Sequence, residues 1–507
     1  MESESLAKSE TVDRRQDSAA TLLLIGLSVL ALVLRFWRVG AWNFQATEIF
    51  TLRDSMTPAF DNPRPLGYLL NYYLVRPFHP LDEFGLRLFP TIFGILAVPA
   101  FYWVARRLVG TRAALFGTLL LTVSPLLILY SQLARYWSLV FLFSTIYPYY
   151  LYLGIRDHDR RALIIGIGCG ILAALAHPVS VLLVAGLGLW LVLSHIRPGR
   201  LQRLWGQRRF RWGVGIVVVI LVVIALRFVP LLEGWITQHD QNPGSGQFLL
   251  RPPATKGLKQ IFFLLAFVDS LTVPLVLTAL AGIYVIWRER ERSLATMLIC
   301  VAGVPIAFLT LITLRTASSQ YYLLPAVPVF FLGAGVFLER LTRLNSGLYP
   351  RWLVPATVTA IVIATGMPTL ASDYRDGRRY DFRRAAAWLQ PRFSPGDIVY
   401  SDQHMVLAYY LPGKEIQRLR QDTIPLSRTM RELESRPGKA LWVIAPAPSH
   451  AFRTNLKFGG LLAWLFQNCE IRNTVGVGRV DFREQYLQIY RCSTELAHGN
   501  RPAPVSQ

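Results

Sequence analysis

Glu48 is the first residue in the chain whose type and position suggest chemistry. It is a carboxylate in a partly apolar segment that follows the first long hydrophobic run. A carboxylate at a membrane surface can take a proton from a hydroxyl group. Arg64 and Arg87 follow in the same stretch, and arginine holds phosphate groups by forked hydrogen bonds. The pattern predicts a site for proton abstraction and phosphate binding, and a solvated loop carboxylate is the alternative for Glu48.

A later segment adds Gln132 and Arg135. Arg135 stands at a predicted membrane boundary on the side where cations are otherwise sparse. A charged side chain there either snorkels, extending along its aliphatic part to reach water, or belongs to a functional site. Arg315, shortly before Tyr322, leaves the same two interpretations open: contact with a lipid phosphate or snorkelling. For His177, a satisfied boundary histidine is favoured over a catalytic one.

The elements that must position these residues are membrane helices. The chain has 507 residues, of which 53% are hydrophobic and 17% charged, and apolar runs of roughly 18 residues are typical of spanning helices. A cleaved signal peptide is the alternative for the first run, but no small-residue cleavage site precedes Arg35. We predict about eleven spans, at residues 19–37, 88–105, 113–130, 136–154, 162–176, 178–194, 212–229, 270–287, 294–313, 321–338 and 352–370, with an interfacial helix at about 257–268.

The formal net charge of +22 is explained by basic loops on one side of the membrane, and the positive-inside rule places that side in the cytoplasm. The sequence does not favour nucleic-acid binding, because the basic residues lie between apolar segments. The expected organisation is a cytoplasmic tail (1–18), a transmembrane domain (19–370) with a long outer loop (39–87), and an extracytoplasmic domain (371–507).

The C-terminal segment (371–507) is predicted to form a small α/β domain. Helical spacing at Phe382–Leu389 precedes strand-like runs at Ile398–Tyr400, Ala440–Ala445 and Tyr486–Tyr490. An oxidising compartment would permit a disulfide between Cys469 and Cys492. The sequence does not show whether the two residues lie close together in space. No cysteine–histidine spacing typical of a metal site is present, so no cofactor is expected, and a divalent metal remains an unsupported option.

Several segments, taken in order, resemble the polytopic GT-C glycosyltransferases, in the branch of protein O-mannosyltransferases and aminoarabinose transferases of lipid A. That branch has an Asp-Glu-Ala-Tyr-like run in its first outer loop and a Tyr-Ser-Gln-Glu-Ala-Arg-x-Tyr-like run later. Each motif is weak alone, and their order makes the resemblance specific. The matching stretches are Thr47–Phe50, Arg64–Tyr68, Glu83–Pro90, Tyr130–Tyr136, Tyr321–Ala326, Asp381–Ala386 and Pro395–Asp397.

The resemblance implies a bacterial inner-membrane enzyme of cell-envelope or lipopolysaccharide glycan synthesis. Such an enzyme moves a sugar from a polyprenyl-phosphate carrier to an extracytoplasmic hydroxyl, with inversion at the anomeric carbon. Its partners are that donor, the acceptor and membrane lipids. Glu48 takes the role of the base. The implied substrate-binding residues are Arg64, Tyr68, Arg87, Gln132, Arg135, Arg315 and Tyr322.

The sequence departs from the family pattern at two positions. Thr47 stands where the family usually has aspartate, and Leu133 stands where many relatives have glutamate. Glu48 is therefore the preferred base, with Asp54 a weaker candidate. Two alternatives stay open: an inactive GT-C-like protein for binding or assembly, which the two replacements favour, and a lipid or glycan transporter. A transporter would carry ionisable residues at mid-membrane depth and internal repeats, and neither is evident.

Overall fold

The protein is described from a computed structural model, which covers residues 2–58, 60–195, 259–313, 319–343, 350–376, 379–419, 423–434, 439–446, 456–476 and 486–492. The chain forms two compact units. The first, here the bundle unit, comprises residues 1–37, 58–78 and 87–367. The second, the C-terminal unit, comprises residues 38–57, 79–86 and 368–507, so that parts of the first predicted outer loop belong to it.

Helices account for most of the described chain. The predicted span 212–229 and the basic run 197–211 lie outside the described residues. The helices are α1 (Glu2–Phe36), α2 (Ala46–Asp54), α3 (Pro65–Leu70), α4 (Gly85–Val109), α5 (Thr111–Thr122), α6 (Pro125–Ser131), α7 (Trp137–Arg156), α8 (Arg160–Ala176), α9 (Leu182–His195), α10 (Lys259–Leu271), α11 (Val273–Val285), α12 (Arg292–Ile312), α13 (Val327–Thr342), α14 (Leu353–Asp376), α15 (Phe382–Leu389), α16 (His404–Tyr410), α17 (Ile424–Glu434) and α18 (Leu456–Asn468).

The predicted helical membrane class is confirmed. Among the described residues, six helices are long and apolar enough to cross a membrane, or eight if two bent pairs each count as one span. This is fewer than the eleven expected, partly because two expected spans are helices of 17 residues, α8 and Pro178–Ser194. The bent pairs are α5 with α6, at 60°, and α10 with the helix that follows Thr272, at 89°. The predicted interfacial helix thus turns sharply from the next span.

Small residues allow close packing around α13. Gly282 on α11 faces Gly333 on α13, and a Cβ atom built at Gly282 would lie 1.7 Å from the Gly333 carbonyl oxygen. Gly335, also on α13, has the Ala113 carbonyl oxygen 2.3 Å from the position of its own missing Cβ. Close backbone approach of this kind is a common source of helix association within membranes, where apolar burial gives little driving force.

We expect the substitution Gly282→Ala to separate α11 from α13. The added methyl would overlap a backbone oxygen that cannot rotate away, so the cost should reach about 3 kcal/mol, the upper part of the usual range for overpacking. Thermal unfolding in detergent should show a clearly lowered midpoint. The matched control is Gly303→Ala on α12, where an added Cβ meets nothing within 4 Å. Equal midpoints for the two variants would contradict this packing.

One end of the bundle unit carries a network of ion pairs. Arg156, at the end of α7, pairs with Glu291 at 3.2 Å, and Arg340 pairs with Glu289 at 2.8 Å. Glu339 is buried between Arg290 and Arg343. Basic residues at the C-terminal ends of α7, α11 and α13 therefore meet at one end of the bundle unit. Because α7 is 20 residues long, its other end lies about 30 Å away.

The C-terminal unit contains a five-stranded sheet, which confirms the predicted small α/β domain. Strands β1 (Ile398–Ser401), β2 (Ile416–Arg418) and β3 (Leu441–Pro446) are parallel, and β4 (Cys469–Val475) and β5 (Leu487–Cys492) are antiparallel, in the order β2-β1-β3-β5-β4. The central strands β1 and β3 are buried almost throughout, as continuous apolar runs require.

Cys469 and Cys492 stand opposite each other in the β4–β5 pair and form a disulfide. The bond closes a chain segment with a sequence separation of 23 residues. By restricting the unfolded chain, such a cross-link stabilises this part of the domain. Cys169 in α8 and Cys300 in α12 are free cysteines.

Candidate functional site

Two arginines in the bundle unit share one hydroxyl group. Arg64 immediately precedes α3, and Arg135 lies just before α7. Arg64 Nη1 donates a hydrogen bond to Tyr136 Oη, and Arg135 Nη2 donates to the same oxygen at 3.0 Å. The two guanidinium carbons lie 5.3 and 4.7 Å from the centre of the Tyr136 ring. We call Arg64 and Arg135 the arginine pair.

Aromatic side chains surround the arginine pair. The Tyr136 ring stacks on His177, with centroids 4.9 Å apart, and Trp137 lies 5.0 Å from the same imidazole. Tyr321 and Tyr322 complete the group, at 4.8 Å from Trp137 and 5.6 Å from His177 respectively. These residues come from three distant segments of the sequence. They form an aromatic wall beside two charged groups, and a sugar ring or an isoprenoid chain packs well on such a surface.

His177 belongs to this wall as a neutral residue. Burial lowers its pKa well below the usual value, and the charges of Arg64 and Arg135 lower the pKa further. Its Nδ1 accepts a hydrogen bond from the Val179 amide at 3.0 Å. A neutral imidazole whose Nδ1 is an acceptor carries its proton on Nε2. The structure therefore agrees with the expected satisfied boundary histidine.

The electrostatics of the group favour an anion. Burial would raise the pKa of Tyr136, but the guanidinium groups of Arg135 and Arg64 outweigh burial and lower it. Burial acts to lower the pKa of Arg64, yet the interactions with Tyr136, Tyr68 and Tyr322 raise it above its ordinary value. The arginines therefore stay charged and stabilise negative charge on the oxygen that they share. A phosphate oxygen would be held in the same way.

Four of the predicted binding residues meet here, namely Arg64, Tyr68, Arg135 and Tyr322. Electrostatic interactions join Arg64 to Tyr68 and Tyr322, and Arg135 to Tyr68. Arg315 lies outside the described residues. The structure thus brings together side chains from three of the motifs that carried the family resemblance.

Gln132 and Arg87 have other surroundings. The Gln132 amide nitrogen donates to the carbonyl oxygens of Leu34, Arg35 and Trp37, at 3.3, 3.0 and 2.9 Å. Carbonyl groups at the end of a helix lack partners within the helix, so Gln132 completes the end of α1. Arg87 is 0% exposed in the first turn of α4. The predicted binding roles of both residues remain predictions.

Glu48, the predicted base, lies in the C-terminal unit. Its Oε2 accepts hydrogen bonds from the Gln45 amide at 2.9 Å, which caps α2, and from Arg379 Nη1 at 2.8 Å. The Glu48 and Arg379 side chains are 0% and 2% exposed. Arg379 Nη1 also donates to the Asn43 carbonyl oxygen at 3.0 Å. The carboxylate is therefore held in an ion pair that is buried from solvent.

A second group of contacts holds parts of the predicted outer loop (39–87) within the C-terminal unit. Glu83 Oε1 accepts hydrogen bonds from Tyr410 Oη at 2.6 Å and from Arg383 Nη2 at 2.5 Å. Tyr410 Oη in turn accepts one from the Phe44 amide at 2.8 Å. Tyr410 thus links two parts of the first loop. Among the described residues, no three His, Cys, Asp or Glu side chains are grouped to hold a metal ion, and we assign no metal to the site.

Comparison with known proteins identifies the class of the fold. Residues 64–227 match the family model described as dolichyl-phosphate-mannose-protein mannosyltransferase, a stretch that includes Arg64, Arg135 and His177. No curated protein sequence matches the chain significantly.

Solved structures match over nearly the whole chain. ArnT from Cupriavidus metallidurans in the apo state is 16% identical with a TM-score of 0.53, covering 95% of this chain and 100% of ArnT. ArnT bound to undecaprenyl phosphate is 15% identical with a TM-score of 0.53, covering 95% and 99%. The oligosaccharyltransferase AglB from Archaeoglobus fulgidus, in complex with an inhibitory peptide and a dolichol-phosphate, is 12% identical with a TM-score of 0.54, covering 95% and 77%.

These matches confirm the expected GT-C resemblance at the level of the fold. The chain is a multi-pass membrane protein with the GT-C glycosyltransferase fold. Two residues, one in each unit, were not recognised as candidate site residues in the sequence. Tyr136 closes a motif that was recognised, but its shared contact with two arginines is a tertiary feature. Arg379 lies near the start of the predicted C-terminal domain (371–507) but carried no local signal of its own.

Proposed function

We propose that the protein is a membrane glycosyltransferase that takes a sugar from a polyprenyl-phosphate carrier and transfers it to a hydroxyl group of an extracytoplasmic acceptor. The observation that carries the proposal is the arginine pair, two charged guanidinium groups that converge on one oxygen inside an aromatic wall. The family model that covers this region describes a dolichyl-phosphate-dependent enzyme. A structure with the same fold binds undecaprenyl phosphate.

In the proposed reaction the acceptor oxygen attacks the anomeric carbon on the face opposite the phosphate. The bond between that carbon and the phosphate oxygen breaks, and its electron pair leaves with the lipid phosphate. The arginine pair stabilises the negative charge that grows on this leaving group. The proton of the acceptor hydroxyl passes to the Glu48 carboxylate. One substitution at the anomeric carbon gives inversion, as the family resemblance implies.

The proposed orientation places the arginine pair on the outer side of the bacterial inner membrane. The pair lies at the start of α7, and the network around Glu291 and Glu339 lies at the end of that helix. By the positive-inside rule, the basic residues of this network support a cytoplasmic position for that end of the bundle. A disulfide in the C-terminal unit is compatible with an oxidising compartment. Sugars attached to lipid carriers are the donors suited to that side, where nucleotide sugars are absent.

The orientation predicts that an epitope tag after residue 500 is reached from outside. Spheroplasts of cells that express the tagged protein should bind the antibody without lysis of the inner membrane. A tag before residue 10 serves as the control and should become accessible only after lysis. Antibody binding to the C-terminal tag only in lysed cells would reverse the proposed topology.

The proposed donor site is tested by lipid binding. We expect the purified protein in nanodiscs to bind undecaprenyl phosphate, and Arg64→Gln or Arg135→Gln to weaken that binding by ~10–100-fold, since each removes a charge-assisted hydrogen bond to the phosphate. Native mass spectrometry with titrated lipid measures the bound fraction.

The matched control for this experiment is Arg76→Gln. Arg76 belongs to the same loop but is exposed and lies over the Tyr72 ring, so its loss should leave lipid binding unchanged. The uncharged alcohol undecaprenol should bind all three arginine variants and the wild type alike. Wild-type protein that does not distinguish the phosphate from the alcohol would contradict the donor site.

The second candidate function is a GT-C-like binding protein without transfer activity. Thr47 and Leu133, together with the buried ion pair of Glu48, are the observations that favour it. Both functions predict lipid binding, and they differ in turnover. Release of free polyprenyl phosphate from a sugar-loaded carrier in the presence of acceptor supports the transferase, and binding without release supports the alternative.

A further inference from the structure

Tyr136 has a position that the proposed reaction does not use. Its hydroxyl oxygen accepts hydrogen bonds from both members of the arginine pair. A neutral hydroxyl is a weak partner for two guanidinium groups, which bind carboxylate and phosphate oxygens in preference. The lowered pKa of Tyr136 has the same origin, an excess of positive charge around one buried oxygen. The hydroxyl therefore stands where an anionic oxygen is better accommodated.

The ring of Tyr136 is held independently of its hydroxyl. It is 3% exposed, stacks on His177 at 4.9 Å and lies 5.0 Å from Trp137. The backbone keeps His177 in place, since its Nδ1 accepts the Val179 amide hydrogen and Ser180 Oγ donates to its carbonyl oxygen at 2.8 Å. Arg64 and Arg135, in contrast, are only partly buried. Arginine side chains have several rotatable bonds, so these guanidinium groups can shift toward a ligand while the Tyr136 ring keeps its place.

We infer that the Tyr136 hydroxyl is an internal competitor, which occupies the place of one phosphate oxygen in the empty site and exchanges with the phosphate of the lipid carrier. The inference rests on the proposed function. When the lipid arrives, the arginines exchange the hydroxyl for the phosphate, and when the product lipid phosphate leaves, the hydroxyl takes its place again. The two like charges of the arginine pair thus share an acceptor oxygen both with and without the lipid.

The competitor also gives the site a means of releasing product. Every turnover leaves a polyprenyl phosphate on the arginine pair, and the free phosphate monoester carries at least as much charge as the sugar-bearing donor. Without a competing acceptor, the product would bind too tightly for rapid turnover. Tyr136 is therefore a positioning residue that acts through Arg64 and Arg135, and its loss should affect affinity and turnover in opposite directions.

The test uses Tyr136→Phe, which keeps the stacked ring and removes only the oxygen. We expect the full-length variant in nanodiscs to bind undecaprenyl phosphate roughly tenfold more tightly than wild type, with undecaprenol binding unchanged. In a transfer assay, inhibition by added undecaprenyl phosphate should strengthen by a similar factor. Affinity that is unchanged or weaker in Tyr136→Phe overturns the inference, because the hydroxyl would then be either a bystander or a direct ligand of the phosphate.

A second measurement covers the case in which Tyr136→Phe does not fold. Protein in which Tyr136 alone is replaced by 3-fluorotyrosine reports the surroundings of the hydroxyl by fluorine NMR. Undecaprenyl phosphate should shift this signal and undecaprenol should not, and a signal that is unmoved by bound phosphate lipid overturns the inference. Wild-type protein that binds no undecaprenyl phosphate refutes the proposed function and the inference together. Wild-type binding that depends on Arg135 but does not tighten in Tyr136→Phe refutes the inference alone.

Discussion

Replacing Glu48 by glutamine is expected to lower the rate of sugar transfer by ~10²–10⁴-fold, the usual contribution of a general base. Glutamine keeps the size of the side chain and still accepts hydrogen bonds from the Gln45 amide and Arg379, but it cannot take the acceptor proton. Lipid binding at the arginine pair should be unaffected. The rate is measured with a sugar-loaded polyprenyl phosphate and envelope acceptors in detergent solution.

The matched control for Glu48→Gln is Asp54→Asn. Asp54 ends the same helix, pairs with the exposed Arg53 at 3.2 Å and is the weaker candidate for the base. We expect its variant to transfer sugar within a few-fold of wild type. If Asp54→Asn loses transfer and Glu48→Gln keeps it, the two roles are reversed. Wild-type rates in Glu48→Gln would assign that carboxylate a purely structural role, namely capping α2 and pairing with Arg379.

The second large effect is expected for stability at Arg379. The substitution Arg379→Met removes the ion-pair partner of the buried Glu48 carboxylate, and breaking a buried ion pair in this way costs ~3–5 kcal/mol. The free energy of unfolding of the C-terminal unit should fall by this amount, as measured by denaturant titration of the full-length protein in micelles. The double variant Glu48→Gln/Arg379→Met should recover part of the loss, because no charge is then left unpaired.

Arg383→Met provides the comparison within the same unit. Arg383 pairs with Glu83 at 2.5 Å, but its side chain is 43% exposed. An ion pair that water reaches contributes ~1 kcal/mol or less. A loss of stability in Arg383→Met equal to that in Arg379→Met would contradict the distinction between the two pairs. An additive double variant at positions 48 and 379 would show that these residues do not interact in solution.

The elements that the sequence predicted well are those whose signals are local. The helix at Phe382–Leu389 and the strand that begins at Ile398 have the predicted positions, because an N-terminal aspartate, apolar spacing and a Ser-Pro-Gly-Asp turn lie within a few residues. The positions of most membrane helices follow in the same way from continuous apolar runs. The bend of 89° at Thr272 was not predicted, because hydropathy records burial in lipid and not direction.

The site was predicted in part for the same physical reason. Arg64 and Arg135 were recognised by residue type in family-like motifs, whereas their common partner Tyr136 depends on packing between segments 72 residues apart. The pair of Glu48 and Arg379 joins positions separated by 331 residues. No periodicity or spacing encodes such a contact. Residue type thus indicated which side chains are candidates for the site, and the tertiary structure showed which partners they contact.

The arrangement implies an order of events for the proposed reaction. In this structure the arginine pair donates hydrogen bonds to the Tyr136 hydroxyl, and Glu48 forms an ion pair with Arg379. Each functional group therefore has an internal partner of opposite or complementary character, which keeps buried charges compensated before substrates bind. In the proposed reaction, the donor phosphate replaces Tyr136 at the arginine pair.

The proposed function requires that this protein consume a sugar carried on a polyprenyl phosphate. Mass spectrometry of the carrier lipids and envelope glycans in a strain of the source organism that lacks the gene tests it most directly. We predict that one polyprenyl-phosphate sugar accumulates while one glycan lacks the same sugar, and that wild-type protein restores both pools whereas the Glu48→Gln variant does not. Unchanged carrier and glycan pools in the deletion strain would contradict the claim.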